Sequence, residues 1–193
     1  GREVVGVVNS TRHDLESVNF FLYPNVGQSD EEEPYLQVRR VSSDGHELSV
    51  SARARMTLIQ VALPAKLAPG ELVELTLEFA ARVPRLQREE TTLLAHFLQE
   101  ANDAVSAERQ RRDARDIFFA ADQSMLLGYF FPMLVPHDAV VTEQGMAFGA
   151  GGIVFSEVGD YEVSVTADAQ LTVIGSAPVV STQVLKGEDG ERS

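Results

Sequence analysis

Residues 71–83 give the cleanest alternation in the chain. Val73, Leu75, Leu77 and Phe79 fall on one side, and Glu74, Thr76 and Glu78 on the other. Side chains two apart share a face only in an extended strand, so this run predicts a β-strand with one buried face. Pro84 stops it, because proline donates no ladder hydrogen bond. A strand of this kind needs neighbours with the same period. Residues 3–8 supply a short apolar one. In residues 17–23, Val18, Phe20 and Leu22 share one face and Asn19, Phe21 and Tyr23 the other, so cover is expected on both. Residues 35–41 and 46–54 flank Ser43-Asp44-Gly45, a hairpin turn whose glycine tolerates positive φ. There Leu48, Val50, Ala52 and Ala54 share a face, with Arg53 and Arg55 on a solvated one, and residues 56–63 form a further strand.

The connections follow from the breakers. Residues 64–71, with Pro64, Pro69 and Gly70, read as a connector, and the acidic residues 27–34 as an exposed loop. Residues 126–134 are the most apolar stretch, with Phe131-Pro132 ending a strand. Residues 160–166 place Tyr161, Val163 and Val165 opposite Glu162, Ser164 and Thr166, which predicts another half-buried strand. Strands are also expected at 153–155, 171–174 and 179–185. Only residues 91–116 break the pattern: Leu94, Phe97 or Leu98, Ala101 and Val105 recur at helical spacing. Past Ser106 the pairs Glu108–Arg112, Arg109–Asp113 and Arg112–Asp116 lace a solvated helix rather than an anion-binding patch. The expected fold is therefore mainly β, antiparallel sandwich or saddle-like sheets in one domain over 1–193, with a helical insertion at about 91–116.

Composition excludes several function classes. The 193 residues are 44% hydrophobic and 23% charged, ordinary for a globular chain able to form a core. With no cysteine there is no disulfide and no thiolate metal site. Acidic residues outnumber basic ones 29 to 16, a net charge of −13, which disfavours nucleic acid and anionic lipid. No apolar run approaches the roughly 20 residues of a membrane-spanning helix, so membrane insertion by this segment is not expected.

Candidate chemistry does not assemble. The four histidines are His13, His46, His96 and His137. A zinc peptidase helix needs His-Glu-x-x-His, which sets two ligands on one face with the Glu as general base. His46-Glu47 begins that pattern, but Ser49-Val50 follows within a strand. His96 precedes Glu100 at helical spacing, a weak pair at most, and His137-Asp138 lies in a loop. Ser176 lacks the second glycine of a nucleophile elbow. Asp138 with Glu143, or Asp160 with Glu162, are carboxylate pairs of a sort common in acidic proteins. The four glycines within 145–152 lack a phosphate-loop ending and read as a flexible connector. The acidic loop lacks the alternating ligands and glycine of a calcium loop. No catalytic, cofactor-binding or metal residue is expected, and no cofactor.

Three separated blocks resemble one known family. Val8-Asn9, then Leu15-Glu16-Ser17-Val18-Asn19-Phe20-Phe21-Leu22-Tyr23-Pro24-Asn25, is similar to the opening hairpin of the N-terminal β domain of the aminopeptidase N family, the gluzincin metallopeptidases. Leu63-Pro64 with Leu67-Ala68-Pro69-Gly70-Glu71 and the long strand ending in Val83-Pro84 resembles the same domain. So does Phe130-Phe131-Pro132 followed by Gly159-Asp160-Tyr161-Glu162-Val163-Ser164-Val165-Thr166 and an apolar run ending in Gly175. Of the longer family pattern Arg-x-x-Phe-Pro-Cys-x-Asp-x-Pro only Phe131-Pro132 matches, with Met133 in the cysteine position, and no site residue carries over. The helical run at 91–116 departs from the family, which has a loop there.

The resemblance implies a non-catalytic domain that packs on, and shapes access to, a zinc peptidase domain of the same parent chain beyond residue 193. Zinc would belong to that absent domain, and peptide substrate would be met only indirectly. A bacterial, extracytoplasmic or membrane-associated setting goes with it. Two other readings stay open: a free-standing β-sandwich binding module of a bacterial envelope or secreted protein, and an enzyme whose site the sequence hides.

Overall fold

A computed structural model describes residues 1–26, 28, 32–53, 56–85, 117–137, 141–142, 145–146 and 159–185. The chain divides into two compact units, residues 1–157 and 158–193.

The first unit is mainly β, with antiparallel sheets stacked as in a sandwich. One four-stranded sheet contains β1 (Arg2–Val8), β3 (Leu36–Ser43), the two-residue β4 (His46–Glu47) and β7 (Leu72–Ala81), in the order β1-β7-β3-β4. The other contains β2 (Leu15–Phe21), β5 (Val50–Arg53), β6 (Leu58–Leu67) and β10 (Met133–Leu134), in the order β10-β2-β6-β5. β8 (Phe118–Ala121) pairs with β9 (Ser124–Leu127), and β11 (Val141–Thr142) with β12 (Gly145–Met146).

The alternation of β7 places Leu75, Leu77 and Phe79 in the core, where they meet Val7, Leu36 and Val41 of the same sheet. Facing them across the sandwich are Val18, Phe20, Leu22, Ile59 and Val61. The second sheet is covered on its other side too. Phe21, Tyr23, Leu58 and Val135 form a smaller buried cluster there, flanked by Val26 and Ile117. The double-faced pattern of residues 17–23 thus has cover on both sides, as expected. Burying a side chain of the size of Phe20 or Phe21 contributes about 1.5–3 kcal/mol.

Two asparagines satisfy the backbone groups of the chain turns. Asn9, 1% exposed, donates from Nδ2 to the carbonyls of His13 (2.9 Å) and Leu67 (2.7 Å). Its Oδ1 accepts from the Thr11 amide and hydroxyl, and its backbone bonds Glu71 and Gly70. Asn25, also 1% exposed, follows Tyr23 and Pro24 in a one-turn 3-10 helix and ties Leu36 to Met56. Buried backbone groups must be paired, and these side chains pair them where no strand is available.

The hairpin at Asp44-Gly45 forms with φ of 49° and 78°, both positive as a two-residue type I′ turn requires. Several sequence expectations are corrected. Residues 64–67 belong to β6 rather than to a connector. Pro64 is tolerated because the β2–β6 register is irregular there, stepping from Ser17↔Ala62 to Leu15↔Leu67, and β5 no longer runs alongside. Pro132 precedes β10 instead of ending a strand, and the apolar Met125, Leu126 and Leu127 lie exposed in the β8–β9 hairpin. The strand expected over 46–54 breaks at Leu48 and Ser49, where the chain leaves one sheet for the other.

The second unit departs most. The described residues 159–185 contain no strand, so the runs 160–166, 171–174 and 179–185 have no ladder partner among the described residues. A turn at Asp168 is closed by the amides of Gln170 and Leu171. Tyr161, Val163 and Val165 remain 62%, 62% and 55% exposed. Period two is necessary for a half-buried strand but supplies neither partner nor cover. The expected helix at 91–116 and strand at 153–155 lie outside the described residues. So do Ser29, Asp30 and Glu31 of the acidic loop, Ala54 and Arg55 of the strand expected over 46–54 and its end, and Gly149, Gly151 and Gly152 of the glycine-rich connector.

Candidate functional site

The residues weighed for chemistry do not converge. His13 lies exposed in the loop after β1, and His46 exposed at the start of β4. His137 is partly buried beyond β10. His96, Glu100, Asp138 and Glu143 lie outside the described residues. Asp160, Glu162 and Ser176 are exposed in the second unit. Among the described residues no three metal-ligating side chains gather, and no helix is long and apolar enough to cross a membrane. Gly145 stands in the β11–β12 pair.

One group has a strongly shifted proton equilibrium. Glu3 points inward from β1, opposite Leu77, and its Oε2 is buried without a hydrogen-bond partner among the described residues. Burial raises its pKa from 4.5 to about 7. Among the described residues Glu3 belongs to no cluster of three metal-ligating side chains.

A shallow, open cleft of about 400 Å³ lies beside β3, lined by β3 and by the crossing from β4 to β5. Its origin is a slip in β3. Val38 pairs with Phe79 and Arg40 with the very next β7 residue, Glu78, so Arg39 is an extra residue in the ladder, a β-bulge. The bulge leaves Arg39 and Arg40 side by side, both exposed. Arg40 pairs with Glu47 across the cleft mouth (Nε to Oε2, 3.4 Å). Arg39 has no ion pair or side-chain hydrogen bond among the described residues. Apolar Val38, Val41, Leu48 and Val50 line the remainder, with Ser49.

The cleft exists because the chain changes sheets. Leu48 donates to the Val41 carbonyl (2.9 Å), the last bond that β4's continuation makes to β3. The next carbonyl, that of Ser49, accepts from Ala62 of β6 (3.0 Å). Beyond Val41, the β3 backbone over residues 37–40 therefore has no strand on this side among the described residues. Sequence reading missed this site, although a signal exists: the inward residues of β3 run Leu36, Val38 and then Val41, Ser43, so the period slips by one at the arginine pair.

Comparison with protein families, curated proteins and solved structures found no match.

Proposed function

We infer that this chain is the non-catalytic N-terminal β domain of a zinc aminopeptidase-like protein, packing on a peptidase domain of the same parent and shaping access to it. The observation that carries this reading is the role of the motif residues. Asn9 and Asn25, on which the first block of the resemblance rests, are buried and hydrogen-bonded to the turns around them, chiefly to backbone. They lock turns and perform no chemistry, which suits a domain whose contribution is shape. The exposed apolar residues of the second unit, Tyr161, Val163 and Val165 among them, are surface of the kind a neighbouring domain buries.

The full-length gene product tests the reading. It should carry a His-Glu-x-x-His helix beyond residue 193, bind zinc at about one equivalent, and hydrolyse aminoacyl fluorogenic substrates. The chain alone, given zinc, should not turn them over. Zinc-dependent hydrolysis by the chain alone, or a full-length product without that helix, would contradict it.

A further inference from the structure

The geometry points to the cleft beside β3 as a docking site for an extended acidic peptide. Two independent features converge on that ligand. First, β3 presents unpaired backbone over residues 37–40 on the cleft side among the described residues, because β4 lasts two residues before its chain crosses to the other sheet. A strand edge left open in this way accepts an added strand through main-chain hydrogen bonds. At about 3.3 Å per residue, four residues of β3 offer roughly 13 Å of edge.

Second, the bulge supplies charge where an added strand would pass. Arg39 is unpaired among the described residues, and Arg40 pairs with the exposed Glu47 at 3.4 Å, a contact that shows a carboxylate can reach this pair. With Arg40 paired to Glu47, Arg39 is left as an uncompensated guanidinium beside the cleft in a chain of net charge −13. It favours a carboxylate through paired N–H donors and disfavours a cationic peptide.

Val38 and Leu48 also line the cleft but pack against the sandwich core, so the surface offered to a ligand is mainly polar. The site is independent of the peptidase-domain reading and survives its failure.

Fluorescence anisotropy with the purified chain and labelled heptapeptides tests the site. The probes are a Val-Glu alternating peptide, its Val-Gln and Val-Lys counterparts, and the Val-Glu peptide N-methylated at alternate amides. The Val-Glu peptide should bind, at least five-fold more tightly than Val-Gln, and Val-Lys should not bind. N-methylation on the pairing edge should remove most binding, and Arg39→Gln should cut Val-Glu affinity at least five-fold while leaving Val-Gln unchanged. Arg39 is exposed and unpaired among the described residues, so an unaltered thermal midpoint will show that the variant is folded. Equal affinity for Val-Glu and Val-Lys, indifference to Arg39→Gln, or absence of Val-Glu binding would overturn the proposal. Full retention of binding after N-methylation, or competition by free glutamate as strong as by the peptide, would show a simple anion patch and overturn it as well.

Discussion

Asn25 and Leu36 hydrogen-bond one another as two paired strand residues would. The Asn25 Nδ2 donates to the Leu36 carbonyl (2.9 Å), and the Leu36 amide donates back to Asn25 Oδ1 (2.8 Å). The same Nδ2 reaches the Met56 carbonyl at 2.7 Å. Asn25→Ala leaves two carbonyls and one amide without these partners, so stability should fall by roughly 2–4 kcal/mol. Urea denaturation should show the loss in the midpoint with an unchanged slope.

Phe20 and Phe21 are adjacent and bury into opposite clusters, at 0% and 1% exposure. Either truncated to alanine should therefore cost about 3–5 kcal/mol. A sheet solvated on one side would show that loss for Phe20 alone. Comparing the two by equilibrium denaturation decides whether the second sheet is covered on both faces.

At Gly45, with φ of 78°, an added Cβ meets nothing within 4 Å. Gly45→Ala should thus cost only the backbone preference, about 1 kcal/mol, with no packing term. A thermal midpoint lower by several degrees fits. A much larger loss would mean that the turn is not of the type the dihedrals describe.

β1, β2, β3, β6 and β7 were legible because each alternating run has alternating partners, however far along the chain they lie, whereas β8, β11 and β12 are too short to show a period. β7 alternates, its neighbours alternate, and residues 71–83 needed no correction beyond their ends. The second unit was misread because Tyr161, Val163 and Val165 carry the same period without a ladder among the described residues. Periodicity reports which face a strand would bury, and nothing about whether a partner is there. The cleft escaped notice for a different reason. Arg39-Arg40 read as ordinary solvated charge, and only the β3–β7 register shows that one of them is an insertion. Pro64 misled in the opposite sense, since an irregular register can absorb a proline within a strand.

Glu3 makes stability depend on pH. Its folded pKa, about 7, lies above the ordinary value of 4.5 because burial disfavours the anion. The folded state therefore holds a proton that the unfolded state releases between pH 4.5 and 7. Stability from this group is fully present below 4.5, falls across that window, and levels off above it. Glu3→Gln removes the titration, so the variant should gain on the parent by about 2–3 kcal/mol as pH rises from 4.5 to 7.5. Chemical denaturation across that range checks it, and a constant difference between the two proteins would place the proton elsewhere.

Hydrogen–deuterium exchange over residues 159–185 tests the central claim, that this β domain is built to be packed upon by a peptidase domain of the same parent. In the isolated chain these residues form no ladder among the described residues, and the amides outside the turn at Asp168 should exchange within seconds. In the full-length gene product the segment that carries Tyr161, Val163 and Val165 should be protected by at least a hundred-fold. Equal, rapid exchange in both proteins would contradict the account, as would strong protection in the isolated chain.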